Sequence, residues 1–500
     1  MVPLSAAIAF HARTAPQRVA LVYEDQRITF GELIERMHVA AGVLRAHGIG
    51  RGDVVALLMK NSAAFLELAF AASHIGAVLL PINYRLAADE VGTIVENAGA
   101  RLLCLDAELT AAVGSFAQRV VLDADAQRDS RRLGPADPVR DAHPSQPDDL
   151  FRLVYTSGTS DRPKGVMHSY ANVHWKSLDQ TIALGLSRDE RLLVTGPLYH
   201  VGAFDLPGVT VLALGGMLCL LRDFDPEAVL TAIERERLTG GWMAPSMTNR
   251  TLAQPGRERY DLSSFRWLIG GGERTPEERI REFGSLFKGA RYIDAYGLTE
   301  SCSGDTFMEA GREIEKIGST GRATPFVRLE IRDDAGRALP AGEQGEICLL
   351  SPKNTCGYWR DPQKTAASFH EGGWFRTGDV GYLDAEGFLY LTDRKKDMII
   401  SGGENVASSE VERVVYQLPE IAEAAVIGLP DGKWGERVVA VVVLRTGCAL
   451  DEAALQRHCR AQLGGFKVPK QLFVIDALPR NPSGKVLKRV LREELQQLGD

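Results

Sequence analysis

Tyr155-Thr-Ser-Gly158-Thr-Ser-Asp-Arg-Pro163-Lys164-Gly165-Val166 gathers four Ser/Thr hydroxyls, two glycines and a lysine into one short stretch. Such a run suits an anion: glycines let the backbone approach closely, N–H groups and hydroxyls donate to its oxygens, and a lysine adds a mobile positive charge. The preceding Leu153-Val154-Tyr155 reads as a buried strand, so the loop hangs from a strand end. The G-x-x-x-x-G-K-[ST] pattern of nucleotide hydrolases is not met, because Lys164 precedes Gly165 and no Ser or Thr follows it. Taken alone, a Ser/Thr/Gly run reads equally well as a surface loop.

The surrounding chain decides between these readings. Five hundred residues exceed one hydrophobic core and predict at least two domains. With 45% hydrophobic and 25% charged residues the composition is that of a globular protein, and a net charge of -7 argues against a general affinity for nucleic acid or anionic membrane. Seven cysteines without a C-x-x-C pair form neither a disulfide framework nor a zinc pattern, which fits a reducing cytoplasm. The first ten residues lack the basic leader of a signal peptide. The longest apolar stretch, Leu206 to Leu221, is broken by Pro207 and glycines, is shorter than the ~20 residues of a bilayer span, and is expected to be a buried turn.

From Phe10 to about Leu150 short apolar strands alternate with amphipathic helices, the rhythm of an α/β fold with a largely parallel sheet. Helical spacing runs from Gly31 to His47 and from Ala64 to Ile75, and Val54 to Met59 reads as a buried strand. Asp123 to Asp149, poor in apolar residues, is expected to be an exposed connector. Strands are predicted at Leu192–Thr195, Met217–Leu221, Gly241–Ala244 and Trp267–Ile269, with a helix over Pro226–Arg237. From Gly318 to about Thr392 short strands and Gly-rich turns suit a small β-barrel. After the charged break Asp393-Arg-Lys-Lys-Asp397, helices at Ser409–Gln417 and Glu452–Leu463 and strands near Ala424–Ile427 and Val438–Leu444 suit a small α+β domain.

Further clusters recur at strand ends: Gly270-Gly-Gly-Glu273, Tyr296-Gly-Leu-Thr-Glu300, Phe375-Arg-Thr-Gly-Asp379 and Ser401-Gly-Gly-Glu-Asn405. Singly, each reads as a tight turn. Together with Tyr155 to Val166, Asp393 to Glu404 and Pro479-Arg-Asn-Pro-Ser-Gly484-Lys485, they make the chain closely resemble, over essentially its whole length, the AMP-forming acyl-CoA synthetases of the adenylate-forming superfamily.

The resemblance implies two doubly wound α/β subdomains and a small β-barrel in a large domain, 1–393, a hinge at 394–396 pivoting on Lys396, and a mobile α+β domain, 397–500. It implies ATP, Mg2+ and coenzyme A as co-substrates and a small-molecule carboxylate as substrate. A carboxylate is a feeble nucleophile meeting a polyanion, so charge must be neutralised and the attack on the α-phosphate aligned. By resemblance Lys485 bridges the carboxylate and the phosphate. Thr156, Ser157, Gly158, Thr159 and Lys164 hold the β- and γ-phosphates, Glu300 holds Mg2+, and Thr299 touches the α-phosphate. Asp379 holds the ribose with Arg394 beside it. Tyr296 stacks on adenine, flanked by Gly297, opposite Gly271, Gly272 and Glu273, with Asp294 available to the exocyclic amine. His200 positions the carboxylate. Gly402 and Gly403 line the pantetheine passage, and Trp434, Phe466, Lys467 and Lys470 contact coenzyme A.

The acyl pocket implied by position comprises Trp175, Val201, Gly202, Trp242, Met243, Met247, Gly270 and Ala295, with Gly297. It holds no Arg or Lys, so the substrate should be apolar beyond its carboxylate. The small residues Gly270, Ala295 and Gly297 leave room, and Trp242 shortens the channel; medium or long fatty acids and aryl acids such as cinnamates or ferulate both stay open. The chain departs from the family at Asp161, where a glycine is usual, and at Ala407-Ser408, where relatives often carry an aromatic residue and a proline. An enzyme loading a carrier protein is the alternative; the Asp expected of an amino-acid activator has only Phe204-Asp205 to match. A luciferase-like oxygenase shares the first half-reaction, and a non-catalytic protein of this fold would lack Lys485 or Glu300. Peripheral membrane contact stays open without a transmembrane segment, as do a monomer and a homodimer.

Overall fold

The computed structural model describes residues 3–113, 116, 118–156, 163–271, 277–394, 397–401, 404–480 and 486–497. The chain divides into two compact units, the larger spanning 1–329, 349–375 and 386–389, the smaller 330–348, 376–385 and 390–500.

In the larger unit a six-stranded sheet runs in the order Arg119–Leu122, Ala100–Asp106, Val54–Leu58, Val78–Pro81, Leu150–Thr156, Lys164–Ser169. Its strands are parallel except the last, which turns back antiparallel to Leu150–Thr156. Every residue of Val54–Leu58 is buried, as expected of a strand covered on both faces. Helix Ala63–His74, started by the Ser62 hydroxyl accepting from the Phe65 N–H, is buried along its whole length. The second sheet has nine strands, of which the six inner ones, from Arg291–Tyr296 through Trp267–Gly271, Gly240–Trp242, Arg191–Val194 and Met217–Leu220 to Val19–Tyr23, run parallel. The doubly wound α/β fold read from the sequence is therefore present in both sheets.

One expectation changes. Leu206 to Leu221 is no turn: it holds a helix, Val209–Leu214, closed by a left-handed Gly215 (φ +89), and the strand Met217–Leu220. Runs this short carry no periodicity to separate a helix from a turn. The connector Asp123 to Asp149 is mostly exposed, as expected, and is tied down at two backbone positions. The Ser130 N–H donates to the fully buried Glu67 carboxylate at 2.8 Å, and the His143 N–H to the His74 carbonyl at 2.8 Å.

The strands expected as a barrel form a five-stranded sheet containing Arg328–Arg332, Gly345–Leu350, Trp374–Leu383, Phe369–His370 and Leu389–Arg394. In the smaller unit a further five-stranded sheet centres on the antiparallel pair Ile421–Asp431 and Gly435–Leu444. Val438, Ala440 and Val442 face a core with Leu455 and Cys459, while Val439 and Val441 face another with Leu491 and Leu495. Two covered faces explain the unbroken apolar run.

Candidate active site

Thr156 and Lys164 are cross-strand partners where the antiparallel strand Leu150–Thr156 ends and Lys164–Ser169 begins. A Cβ on Gly165 would lie 3.0 Å from the Tyr155 ring and 3.2 Å from the Trp359 Cβ, so this glycine permits close packing. The Tyr155 hydroxyl donates to Asn97 Oδ1 at 2.5 Å, and burial pushes the phenol up to about 12.

The strand Arg291–Tyr296 delivers Asp294, Ala295 and Tyr296 and runs into one 3₁₀ turn, Thr299–Ser301, that carries Thr299 and Glu300. Beyond it Cys302, Ser303 and Gly304 are all left-handed, with φ of 57°, 68° and 74°. Two of these bear side chains, a strain on the order of 1 kcal/mol or more each that the surroundings must hold in place. Four donors hold the segment. Asp305 N–H donates to the Tyr296 carbonyl at 2.7 Å and Ser303 N–H to the Leu298 carbonyl at 3.0 Å. The fully buried Lys353 ammonium donates to the Gly304 carbonyl at 2.5 Å and pairs with Asp179 at 2.9 Å and Asp305 at 3.3 Å. His168 Nε2 donates to the Thr299 carbonyl at 2.7 Å, its tautomer fixed because Nδ1 accepts from Arg152 Nε at 2.9 Å. Burial, then the Arg152 charge, holds that imidazole well below its ordinary range, so it stays neutral.

Arg152 also reaches Asp205 at 2.5 Å, and Asp205 pairs with Lys176 at 3.7 Å; burial pushes the Lys176 ammonium down to about 8 against the pull of Asp205. The Glu300 side chain accepts from the Tyr358 hydroxyl at 2.9 Å, and its carbonyl accepts from the Thr355 N–H at 2.6 Å. A hard carboxylate beside a threonine hydroxyl on a fixed turn is a donor set that fits a magnesium ion.

His200 caps the short turn that follows it, its Nδ1 accepting from the Gly202 N–H at 3.0 Å, so the proton sits on Nε2. Burial lowers its pKa. The imidazole lies parallel to the Trp242 indole, 6.0 Å between centroids and 19° between planes. That indole covers Gly196 and Gly202, where a Cβ would come within 2.4 and 2.6 Å of it. The buried Asn61 holds this corner: it donates to the Gly196 carbonyl at 2.8 Å and accepts from the Leu198 N–H at 2.8 Å.

His200, Gly202 and Trp242 are thus brought together, with Val201 and Ala295 buried. Other expected pocket residues go elsewhere. Met243 is fully buried in the core formed with Leu230, Leu252 and Leu268, because neighbouring residues of an extended segment face opposite sides of the sheet, and Met247, on the helix Pro245–Leu252, packs against the same core. Trp175 stands 37% exposed, edge-on to Phe326. Nor does Gly270 provide room: a Cβ there would meet the Tyr292 hydroxyl at 2.1 Å, and one on Gly297 would meet the Gly304 nitrogen at 2.3 Å. The glycines serve the protein's own close contacts. Gly271 pairs with Ala295, whose carbonyl lies 2.8 Å from where its Cβ would be.

In the smaller unit Asp379 follows a left-handed Gly378 (φ +72), and the Glu346 carboxylate accepts from the Gly378 N–H at 3.2 Å and from Arg376 at 3.0 Å. Trp434 lies between Lys433 and Lys470, 4.9 and 5.6 Å from its ring centroid, and burial with Arg460 and Lys433 nearby lowers the Lys470 pKa, a setting that suits an anion. Lys467 departs from the expected role, since Glu410 pairs with it at 2.7 Å, and Phe466 packs against the core. Ser157, Gly158, Thr159, Gly272, Glu273, Lys396, Gly402, Gly403 and Lys485, and the side chain of Arg394, lie outside the described residues.

Sequence reasoning missed Arg152, His168, Lys176, Asp179, Lys353 and Tyr358. The one signal was the polar stripe Asn172, Lys176, Asp179, Gln180 along a helix, which ordinarily marks a solvated face.

Two family models match the chain: AMP-binding enzyme over residues 8–359 and AMP-binding enzyme C-terminal domain over 410–485. A feruloyl-CoA synthase of Amycolatopsis sp. is 38% identical over 484 residues, 96% of each chain. The long-chain-fatty-acid–CoA ligase FadD13 of Mycobacterium tuberculosis is 38% identical over 479 residues, 94% of this chain and 93% of its own. The solved o-succinylbenzoate CoA synthetase MenE of Bacillus subtilis, in complex with its acyl-adenylate intermediate, superposes with a TM-score of 0.88 at 31% identity, covering 99% of this chain and 98% of its own.

Proposed function

Because the chain belongs to the AMP-binding enzyme family and is an AMP-forming acyl-CoA synthetase, we propose that it activates an apolar carboxylate, an aryl acid of the cinnamate or ferulate type ahead of a long fatty acid, and passes the acyl group to coenzyme A. ATP, Mg2+ and coenzyme A are its co-substrates, and the acid is a small molecule. Among the described residues no helix is long and apolar enough to cross a membrane.

The carboxylate attacks the α-phosphate and pyrophosphate leaves; the thiol of coenzyme A then displaces AMP. In this reading Thr156 and Lys164, with Ser157, Gly158 and Thr159 between them, hold the departing pyrophosphate. Thr299 faces the α-phosphate, and Glu300, set by the turn and by Tyr358, holds the metal. Magnesium, when bound, neutralises phosphate charge. Tyr296, Gly297, Gly271, Gly272, Glu273 and Asp294 enclose the adenine, and Asp379 with Arg394 holds the ribose. Lys485 supplies the cation between carboxylate and phosphate and needs no proton transfer. His200, neutral with its proton on Nε2, can donate a hydrogen bond to a carboxylate oxygen. Lys396 is the pivot, Gly402 and Gly403 leave the thiol its passage, and Trp434 with Lys470 receives the nucleotide end of coenzyme A.

The substrate reading is carried by Trp242. Its indole fills the space above Gly196 and Gly202 and stands parallel to His200, which favours a flat ring over a long chain. Val201, Gly202, Trp242 and Ala295 offer no charge to a second carboxylate. A panel of cinnamates, benzoates and C8 to C16 fatty acids, assayed for pyrophosphate release and coenzyme A thioester, tests it. Aryl acids should turn over fastest; a profile peaking at C14 to C16 overturns the aryl preference. Adenylate without thioester would favour the carrier-protein alternative.

A further inference from the structure

The segment Lys353-Asn-Thr-Cys-Gly-Tyr-Trp359 carries no residue assigned to a ligand above, yet it touches both polar walls of the site within the larger unit. On one side it pairs with the strand that carries Lys164. Val166 and Tyr358 form an antiparallel bridge, Met167 N–H donates to the Gly357 carbonyl at 3.0 Å, and Trp359 N–H to the Gly165 carbonyl at 2.8 Å. On the other side it holds the turn that carries Glu300. Lys353 donates to the Gly304 carbonyl, Thr355 N–H to the Glu300 carbonyl, and the Tyr358 hydroxyl to Glu300 Oε1 at 2.9 Å.

We propose that residues 353–359 are a strap that fixes the Glu300 carboxylate relative to the Lys164 strand, with Tyr358 as the positioning residue that orients Glu300 toward its metal. The inference rests on the reading of Glu300 as the magnesium-holding carboxylate. The phenol is buried and its hydroxyl donates to Glu300 Oε1 at 2.9 Å. It leaves one carboxylate face committed to the protein. A ligand anchored in this way keeps its orientation when the metal arrives, and losing such an outer partner typically costs about 10- to 100-fold in metal affinity. The strap also explains why the strained Cys302-Ser303-Gly304 run persists, since Lys353 grips its last carbonyl.

Tyr358→Phe keeps the ring and its packing and removes only the donor, so it is tested in the full-length protein, with Glu300→Gln alongside. Calorimetric titration of ATP at increasing Mg2+ should give a half-saturating Mg2+ concentration about 10-fold higher or more in Tyr358→Phe. Metal-free AMP binding should stay within about 2-fold of the parent, because AMP binding needs no metal-holding carboxylate. Pyrophosphate release should recover at high Mg2+. If Tyr358→Phe leaves the Mg2+ dependence unchanged while Glu300→Gln weakens it, the strap proposal fails and the reading of Glu300 stands. If neither variant changes it, both fail. Equal weakening of AMP and MgATP binding would mark a merely structural hydroxyl and overturn the proposal.

Discussion

Helices Tyr170–Leu184 and Glu452–Arg460 obey opposite rules. The second, in the smaller unit, buries Leu455 and Cys459 one turn apart and turns Glu452, Arg457 and Arg460 outward. The first is inside out. It buries Asn172, Lys176, Asp179 and Gln180 and exposes Trp175, Leu178 and Ile182 at 37%, 45% and 53%. Both are ordinary helices locally, the first with a Ser169 capping box and a left-handed Gly185 to end it, the second capped by Asp451. What differs is what they pack on. The smaller unit's helix closes an apolar core, where burial of hydrocarbon is sufficient. The 170–184 helix faces segments that must hold bent backbone beside the candidate active site, and a bent backbone presents carbonyls and N–H groups that demand partners. Its inner face therefore supplies an ammonium and a carboxylate, and each is neutralised: Lys176 by Asp205, Asp179 by Lys353.

Breaking that inner face should have the largest effect. Lys353→Met leaves Asp179 and Asp305 buried without their cation, and a fall of about 3–5 kcal/mol in stability is expected. Urea unfolding followed by tryptophan emission reports on the larger unit, which contains Trp175, Trp242, Trp267, Trp359 and Trp374; an unchanged midpoint would mean that the polar face is ornamental.

Acid gives a smaller effect through another buried polar group of the same unit. His74, bonded to Ser5 and 5.3 Å from the His38 ring, is pushed down to about 4 by burial from an ordinary 6.5. Between those values the unfolded chain binds the proton and the folded one refuses it, so stability falls as pH drops from about 6.5 toward 4. The loss between pH 7 and pH 5 should be on the order of 1 kcal/mol, and His74→Gln should flatten it. Equal slopes would remove His74 as the cause.

The smallest change belongs to the outer face. Ile182→Lys should shift stability by no more than about 0.5 kcal/mol, because the side chain gives up little burial. A loss above about 2 kcal/mol, near that of a core aliphatic residue, would show that this stripe is covered.

Much of the fold was legible. Val54 to Met59 and Val438 to Leu444 announce buried strands by unbroken apolar runs, and a strand does end at Thr156, just past the strand read at Leu153 to Tyr155. The residues expected to line an acyl pocket come together only in part. Trp242 and Gly202 meet beside His200, but Met243 crosses to the core and Trp175 to the surface, since a position in a motif says nothing about which way its side chain leaves the sheet or helix. Glycines misled for a related reason: Gly270 and Gly297 look like room for a ligand, and the space is taken by Tyr292 and by the Gly304 backbone.

The sequence by itself determined the family, the order of its motifs, the strands that flank residues 157–162 and the kinds of side chain its motifs carry. These follow from backbone sterics and side-chain period, which act over a few residues. Only the tertiary structure decided that Tyr358 meets Glu300 across 58 residues, His168 meets Thr299 across 131, and Lys353 meets Asp179 across 174. A polar side chain reads the same whether water or a buried partner satisfies it, and which of the two does so is settled when distant segments pack.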